Sequence, residues 1–366
     1  RAYALSNLGN YYLSRGVPDS TIANLSSVYQ ELKGTSRGSH LVNILATAYY
    51  RADNYSESLR LYREALEIAR RQDNSRMQAA ITQNMGNTYG DLGDMPAAIN
   101  SYLKSLELAE SLSDTNTIAV VLDNLGTINT DEDNYELAEE YLLKALEMSR
   151  ELGNPNYMIT NHMNLGILYK EMGRFEESKA EYEEAIEIAE SIGNVYAPIQ
   201  AKYNLGELLK QMGEFDQAME HFRSSMEMSR ANNILIGAYY NSAGIGDIYR
   251  NRGTILEATE MYHESLRIAE QLGSNSLILP ALQKLYEAYE ESGDTLSAYG
   301  YLKEYMAISD SLSTREREEA LARQESLLEL RSERERSQIL EETVAGQRQY
   351  VIIISILLGI LLIALF

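Results

Sequence analysis

One motif recurs along this chain every 40 residues. The stretch "NMGNTYGDLGDMPAAINSYLKSLELAESL" begins at Asn84, and related stretches begin at Asn124, Asn164 and Asn204. The same frame continues more loosely towards both ends, and a degenerate first copy, "NLGNYYLSRG", precedes the next copy by 37 residues. The frame gives about eight units, and a fixed period of this length predicts a stacked array of similar supersecondary units.

Each unit has small and large residues at fixed positions. A glycine lies inside a helical pattern, where it costs about 1 kcal/mol relative to alanine, so its repetition indicates that a second helix approaches closely. A large residue follows the glycine 16 positions later in most units. The glycines are Gly86, Gly126, Gly166, Gly206 and Gly246, and the large residues are Tyr62, Tyr102, Tyr182, Phe222 and Tyr262. Pairs such as Gly93-Asp94 and Gly173-Arg174 predict a left-handed helix end between two helices.

The order of these positions resembles the tetratricopeptide repeat: a glycine, a tyrosine three residues later, then a small residue and then a large aromatic residue. The resemblance covers residues 2–310, although each unit has 40 residues instead of about 34. It implies an all-α solenoid, a right-handed superhelix of about eight helix pairs with a concave groove. Residues 1–38 would form a degenerate first repeat, and residues 39–312 the array of 40-residue units. Long repeats of this kind resemble those of kinesin light chains, bacterial response-regulator phosphatases and repeat sensors of bacterial kinases.

Composition excludes several classes of function. The net charge of −22 opposes docking on a nucleic-acid phosphate backbone. The chain has no cysteine, which excludes disulfides and zinc thiolate sites, and its four histidines occupy four different positions of the repeat. No glycine-rich phosphate loop is present. We expect no catalytic residue, metal or cofactor in this segment, and therefore no enzymatic activity.

Two columns of residues are candidates for the groove. By resemblance to the family, the column Asn84, Asn124, Asn164 and Asn204 lines the concave surface and can hold a peptide backbone; the alternative is that asparagine is only common in the repeat. Six residues after the asparagine position of the repeat, which is Gly244 in the last of these units, the later units carry Lys170, Lys210 and Arg250. These cations predict an acidic peptide or a chain-terminal carboxylate as partner, unless they only solubilise the surface or face a helix dipole. Tyr239 and Tyr240 are further candidates for the groove lining.

The repeat frame ends near residue 312. Residues 313–349 have no proline and one glycine, and predict one charged helix of about 50 Å that is a candidate for weak coiled-coil homodimerisation. Residues 350–366, "YVIIISILLGILLIALF", are almost entirely apolar. A membrane span needs about 20 such residues, so we interpret them as a transmembrane helix cut short by the end of the sequence, or alternatively as a C-terminal tail anchor.

The order of long repeats, charged helix and apolar segment resembles the sensor half of bacterial membrane-bound tetratricopeptide-repeat histidine kinases, or related helix-turn-helix regulators. The resemblance implies a periplasmic, protein- or peptide-binding sensor at the inner membrane. It would relay two-component or transcriptional signals to an effector beyond residue 366. The alternative is a tail-anchored cytosolic scaffold for protein–protein interaction.

Overall fold

The structure is a computed structural model that describes residues 2–32 and 38–310, with residues 332 and 343 as isolated positions. All the described helices belong to one compact unit, Arg1–Thr314. The predicted charged helix at 313–349 and the apolar segment at 350–366 lie outside the continuous described ranges. Within the part that is described, no helix has the length and apolar character needed to cross a bilayer.

The described ranges are all-helical and contain no strand. Residues 295–310 are helical and form α16. The other helices are α1 Ala2–Ser14, α2 Pro18–Leu32, α3 Ser39–Arg51, α4 Tyr55–Arg71, α5 Ser75–Leu92, α6 Met95–Ser111, α7 Thr115–Asp131, α8 Tyr135–Glu151, α9 Pro155–Glu171, α10 Phe175–Ser191, α11 Tyr196–Gln211, α12 Phe215–Ala231, α13 Leu235–Asn251, α14 Ile255–Leu272 and α15 Asn275–Ser292. The predicted seven or eight helix pairs without a β-strand are confirmed for this part of the chain.

The turns between helices follow a spacing of 20 residues, half of the sequence repeat. From α3 onwards every turn contains one residue with positive φ. These residues are Asp53, Asp73, Gly93, Ser113, Asp133, Gly153, Gly173, Gly193, Gly213, Asn233, Gly253, Gly273 and Gly293. The predicted glycine ends are therefore present, and the second helix of each unit ends in the same way. Aspartate and asparagine substitute for glycine in four turns because their short polar side chains tolerate this conformation, and Ser113 occupies the position in a fifth turn.

In most turns the residue after the positive-φ position closes one helix and is the N-cap of the next. In the turn after α5, the Asp94 backbone N–H donates to the Tyr89 carbonyl at 2.9 Å, which is the long-range hydrogen bond of a Schellman motif. The Asp94 side chain then accepts from the Ala97 N–H at 3.4 Å as the N-cap of α6. Because one residue serves both ends, the turn has a fixed length and the two helices keep a fixed register.

The helices form two layers. Each helix contacts the next one along the chain, and from α1 to α13 each odd-numbered helix also contacts the next odd-numbered helix. In the described part of the chain, no two even-numbered helices contact each other as extensively as the odd-numbered helices do. The odd-numbered helices therefore lie on the inner, concave side of the array, and the even-numbered helices lie outside.

Close approach in the five pairs from α5–α6 to α13–α14 depends on the repeated glycine. A Cβ atom on Gly86 would lie 2.5 Å from Cε1 of Tyr102 in α6. The other repeated glycines meet the large residue of their own pair in the same way: Gly126 meets Leu142, Gly166 meets Tyr182, Gly206 meets Phe222 and Gly246 meets Tyr262. The predicted packing of these glycines against the following helix is confirmed, and Leu142 replaces the aromatic residue in one unit.

Two glycines four residues apart on α5 provide a test of this packing. Replacing Gly86 by alanine should lower the free energy of unfolding by about 1–3 kcal/mol, because the new methyl group overlaps the Tyr102 ring. Replacing Gly90 should raise it by about 0.5–1 kcal/mol, because no heavy atom outside its own helix turn lies within 4 Å of the added Cβ. Urea denaturation measures both. Equal effects at the two positions would contradict the account of the pair.

Candidate peptide-binding groove

The asparagine column lies on the inner helices α5, α7, α9 and α11, and its side chains are half-buried. Three of the four amides connect successive repeats. Asn84 Nδ2 donates to Asn43 Oδ1 at 3.3 Å, and Asn124 Nδ2 donates to Asn87 Oδ1 at 3.4 Å. Nδ2 of Asn164 lies 3.1 Å from both carboxylate oxygens of Asp123. These bonds fix the orientation of each amide across the groove.

The side-chain oxygen Oδ1 of these asparagines is free to accept a hydrogen bond from a ligand. Among the described residues, no donor reaches Oδ1 of Asn84, Asn124 or Asn164. The side-chain amide of Asn204, the fourth member of the column, makes no hydrogen bond to any described residue, and the residue is half-buried inside α11. The structure places the column along one surface, where each side chain presents an acceptor. Its role in binding a ligand stays a prediction.

Asp123 is the point where the amides converge. Its carboxylate accepts from Nδ2 of Asn161 at 2.7 Å and from Nδ2 of Asn164, and no described lysine or arginine pairs with it. Burial raises the pKa of Asp123, and the hydrogen bonds from Asn161 and Asn164 oppose that rise. The sequence interpretation missed this residue. The signal for it is a carboxylate one position before an asparagine of the column.

The predicted basic column has acidic partners inside the array. Lys210 Nζ lies 2.8 Å from Glu207 and 3.1 Å from Asp247. Arg250 pairs with Glu287 at 2.7 Å and with Glu291 at 2.5 Å. Lys170 pairs with its neighbour Glu171 at 2.9 Å. An acidic ligand would have to displace these carboxylates, so the three cations do not form the open stripe that the sequence suggested, and their binding role stays a prediction.

Asp247 is the centre of the charged half of the groove. Its carboxylate forms ion pairs with Lys210 of the preceding repeat and with Lys284 of the following repeat, the latter at 2.5 Å. It also accepts a hydrogen bond from the Tyr262 hydroxyl at 2.9 Å. Burial raises the pKa of Asp247, but the ion pairs with Lys284 and Lys210 outweigh burial and hold it below its usual range. The pKa of Lys210 is raised although burial opposes this, because Asp247 and Glu207 stabilise its charged form.

The two candidate tyrosines differ in their environment. Tyr239 is buried, and its hydroxyl donates to the Leu277 carbonyl of the next inner helix at 2.8 Å. Tyr240 is 41% exposed and its ring lies 5.5 Å from that of Tyr203. Tyr239 therefore joins two repeats, and of the two only Tyr240 reaches the surface.

A cavity of about 320 Å³ opens between α5 and α7 on the inner face. Six of its lining residues bear on its chemistry: Tyr50, Gly90, Asp91, Tyr102, Asn124 and Asp131. Asp91 accepts the Tyr50 hydroxyl at 2.7 Å. Neither Asp91 nor Asp131 forms an ion pair with a lysine or arginine in the part of the chain that the structure describes. The N-terminal half of the groove is therefore amide-rich and acidic, whereas the C-terminal half has paired charges.

The side chains of His162 and His263 contact different partners in different repeats. Nδ1 of His162 lies 2.6 Å from Glu181, and Nε2 of His263 lies 3.0 Å from the Tyr289 hydroxyl. Burial lowers the pKa of both His221 and His263. No cluster of metal-ligating side chains occurs within the described ranges.

The ion pair at Lys210 gives a pH-dependent prediction. Replacing Lys210 by methionine should lower the free energy of unfolding at neutral pH by about 1–3 kcal/mol, because the largely buried Asp247 loses one of its two cations. Since the folded-state pKa of Asp247 is lowered, its stabilisation is present at neutral pH and is lost as the pH falls through that value. The difference between the two proteins should therefore shrink in acid.

Replacing Lys144 by methionine is the matched control. Lys144 pairs with Glu140 on the surface of α8, where both side chains are more than half exposed, so we expect little change in stability at any pH. Denaturation of the three proteins over a pH series measures these effects. A Lys210 variant as stable as the Lys144 variant at neutral pH would contradict the pairing.

Comparison with known proteins agrees with this architecture. The family model described as tetratricopeptide repeat matches residues 36–111, 117–191 and 157–231, which together span just over half of the chain. No curated protein matches the sequence as a relative.

Several solved structures have a similar fold. A signal transduction ATPase of the STAND class with a tetratricopeptide repeat sensor, from Pyrococcus horikoshii, has a TM-score of 0.66 at 17% identity over 86% of this chain and 49% of its own. The apo form of the quorum sensor NprR from B. thuringiensis has a TM-score of 0.64 at 12% identity, covering 84% and 87% of the two chains. A Rap protein complexed with Competence and Sporulation Factor has a TM-score of 0.52 at 14% identity, covering 86% and 98%.

At these identities the solved structures establish the fold alone. The family match rests on the sequence itself, and the residues it covers include the contacts of Gly86, Gly126, Gly166 and Gly206 with the following helix. The chain belongs to the tetratricopeptide repeat family.

Proposed function

We propose that the inner surface of α5, α7 and α9 binds an extended peptide or a disordered segment of a partner protein. The observation that carries this proposal is the column of half-buried amides whose Nδ2 groups are held by the preceding repeat and whose Oδ1 atoms are open. An extended backbone presents N–H groups that need acceptors when it leaves water. The amide column supplies such acceptors in orientations that are already fixed, which limits the entropy lost on binding.

The spacing of the column suits an extended chain. Packed helices lie about 8–10 Å apart, and an extended peptide rises about 3.3 Å per residue. One asparagine is therefore available for about every third residue of a peptide that crosses the inner helices. Side chains between these contacts would meet the surfaces of α5, α7 and α9, where sequence selectivity arises.

The solved structures of similar fold support a sensing role for such binding. One is titled a quorum sensor, one carries a tetratricopeptide repeat sensor, and one was solved with Competence and Sporulation Factor. By analogy of fold, we propose that this array is the ligand-binding part of a signalling protein. Its ligand is a peptide or a protein segment rather than a nucleic acid, since the net charge is −22.

The apolar sequence at 350–366 supports a membrane context for this sensor. In this proposal the array is periplasmic, the chain is held at the bacterial inner membrane, and the charged segment at 313–349 relays ligand binding to a histidine kinase or DNA-binding effector. A cytosolic scaffold anchored by the same segment is the second candidate. The two differ in the side of the membrane on which the array lies.

The binding surface is tested by replacing Asn124 with alanine. Peptides are first selected on the wild-type protein from a random library. The substitution should weaken their binding about fivefold, because one acceptor of about 1 kcal/mol is lost. Fluorescence anisotropy measures the affinity. Replacing Asn100, an exposed amide on the outer helix α6, is the matched control and should leave the affinity unchanged. Equal affinities for the wild-type and Asn124→Ala proteins would contradict the proposed surface.

The membrane context is tested with a single cysteine, since the natural chain has none. We expect Asn100→Cys, at an exposed position of α6, to react with a membrane-impermeant maleimide in intact bacterial cells if the array is periplasmic. Labelling only after lysis would favour the cytosolic scaffold. A chain that ends before residue 350 should leave the membrane fraction; if the truncated chain remained there, the proposed anchor would be wrong.

A further inference from the structure

Inner-helix cations of the C-terminal half pair with carboxylates one repeat further on. Arg250 contacts Glu287 and Glu291, which follow it by 37 and 41 residues. Lys210 contacts Asp247, which also follows by 37 residues. These offsets describe which positions of successive inner helices face each other. They can therefore be transferred to other units of the same 40-residue frame.

Four repeats earlier, the same positions hold a different set of residues. Gly90 occupies the position of Arg250, Thr127 that of Glu287, and Asp131 that of Glu291. The carboxylate is kept, but the residue that would neutralise it has no side chain. Asp131 has no ion pair with any described residue, and Asp91 on α5 has only the neutral Tyr50 hydroxyl.

The space above Gly90 is open. No heavy atom outside its own helix turn lies within 4 Å of the Cβ position of Gly90, and the glycine lines the cavity of about 320 Å³ together with Asp91, Asp131, Tyr50 and Tyr102. The cavity thus combines an unfilled volume, an aromatic wall and two exposed carboxylates that pair with no lysine or arginine in the described part of the chain. A compact cation with an apolar stem matches all three features.

We propose that this cavity is the subsite for an arginine or lysine side chain of the bound peptide. The inference rests on the proposed function of the groove and specifies the class of its ligand. The cationic head lies between Asp91 and Asp131, and the stem lies against Tyr50 and Tyr102. Arginine is preferred, because a planar guanidinium can form paired bonds with a carboxylate, as Arg250 does with Glu291.

The proposal predicts a preference that is measured with two peptide libraries. The libraries are random except for one fixed residue, which is arginine in the first and citrulline, its neutral isostere, in the second. At low salt, peptides selected from the first library should bind the wild-type protein about three- to tenfold more tightly than their citrulline counterparts. The replacements Asp131→Asn and Asp91→Asn should remove this difference. Replacing Glu147, an exposed carboxylate of the outer helix α8, by glutamine should not.

The outcomes separate this inference from the proposed function. If both peptides bind equally and Asn124→Ala weakens both, the groove binds peptides without a cationic subsite, and the inference is wrong. If Asn124→Ala changes neither, the peptides do not bind in the groove, and both proposals fail. An arginine preference that persists in both aspartate variants would place the cation elsewhere and would also overturn the inference.

A second measurement needs no peptide. Gly90→Arg places a guanidinium within reach of Asp131, as Arg250 is placed for Glu291, whereas Gly90→Gln adds a neutral side chain. At low salt the arginine variant should melt at a higher temperature than the glutamine variant, with a smaller difference at high salt because charges are screened. The arginine variant should also lose the preference for arginine peptides. A melting temperature equal to or below that of the glutamine variant would contradict the geometry.

Discussion

The insertion of one large side chain against one glycine determines the geometry of the five helix pairs from α5–α6 to α13–α14. Where Tyr102 covers Gly86, and Tyr182 covers Gly166, the two helices approach more closely than any larger residue would allow. In this position the Tyr102 hydroxyl reaches the inner helix α5, where it donates a hydrogen bond to Oδ1 of Asn87 at 2.7 Å. Asn87 in turn accepts from Asn124 of the next repeat. The packing of the α5–α6 pair is therefore coupled to the polar contacts of the groove.

The turns make this geometry repeat. Because each turn closes one helix and caps the next within a fixed number of residues, corresponding side chains return to the same position every 40 residues. Successive inner helices therefore meet through residues 37, 38 or 41 positions apart. In the C-terminal half, the meeting residues neutralise each other through Asp247, Arg250 and their partners. In the N-terminal half they are amides and carboxylates that pair with no lysine or arginine of the described residues, and it is there that we propose a cationic ligand binds.

The sequence was sufficient for the fold because its evidence is local and repeated. The glycine at Gly166, the ring of Tyr182 and the turn at Gly173 each have a single physical explanation, and they recur in register. The site was harder to predict because contacts between repeats depend on the offset of neighbouring inner helices, which no single unit contains. Lys210 and Arg250 were correctly assigned to the inner helices, but their carboxylate partners lie one repeat away.

Other differences have the same origin. Tyr239 was a candidate for the groove lining, yet its hydroxyl joins the Leu277 carbonyl of the next repeat. Asp123 and Asp131 were overlooked because carboxylates on helices of an acidic chain are usually solvated. Once the offset of 41 residues is known, the sequence alone shows that Asp131 faces a glycine where Glu291 faces an arginine.

The most direct measurement is a crystal structure of the array with a peptide selected from a random library. The account predicts that the peptide crosses α5, α7 and α9 on the inner side, with a backbone N–H on Oδ1 of Asn124. It also predicts a basic side chain of the peptide within hydrogen-bond distance of Asp131. A peptide bound to the even-numbered helices would contradict the account, as would a peptide carboxylate that displaces Glu291 from Arg250.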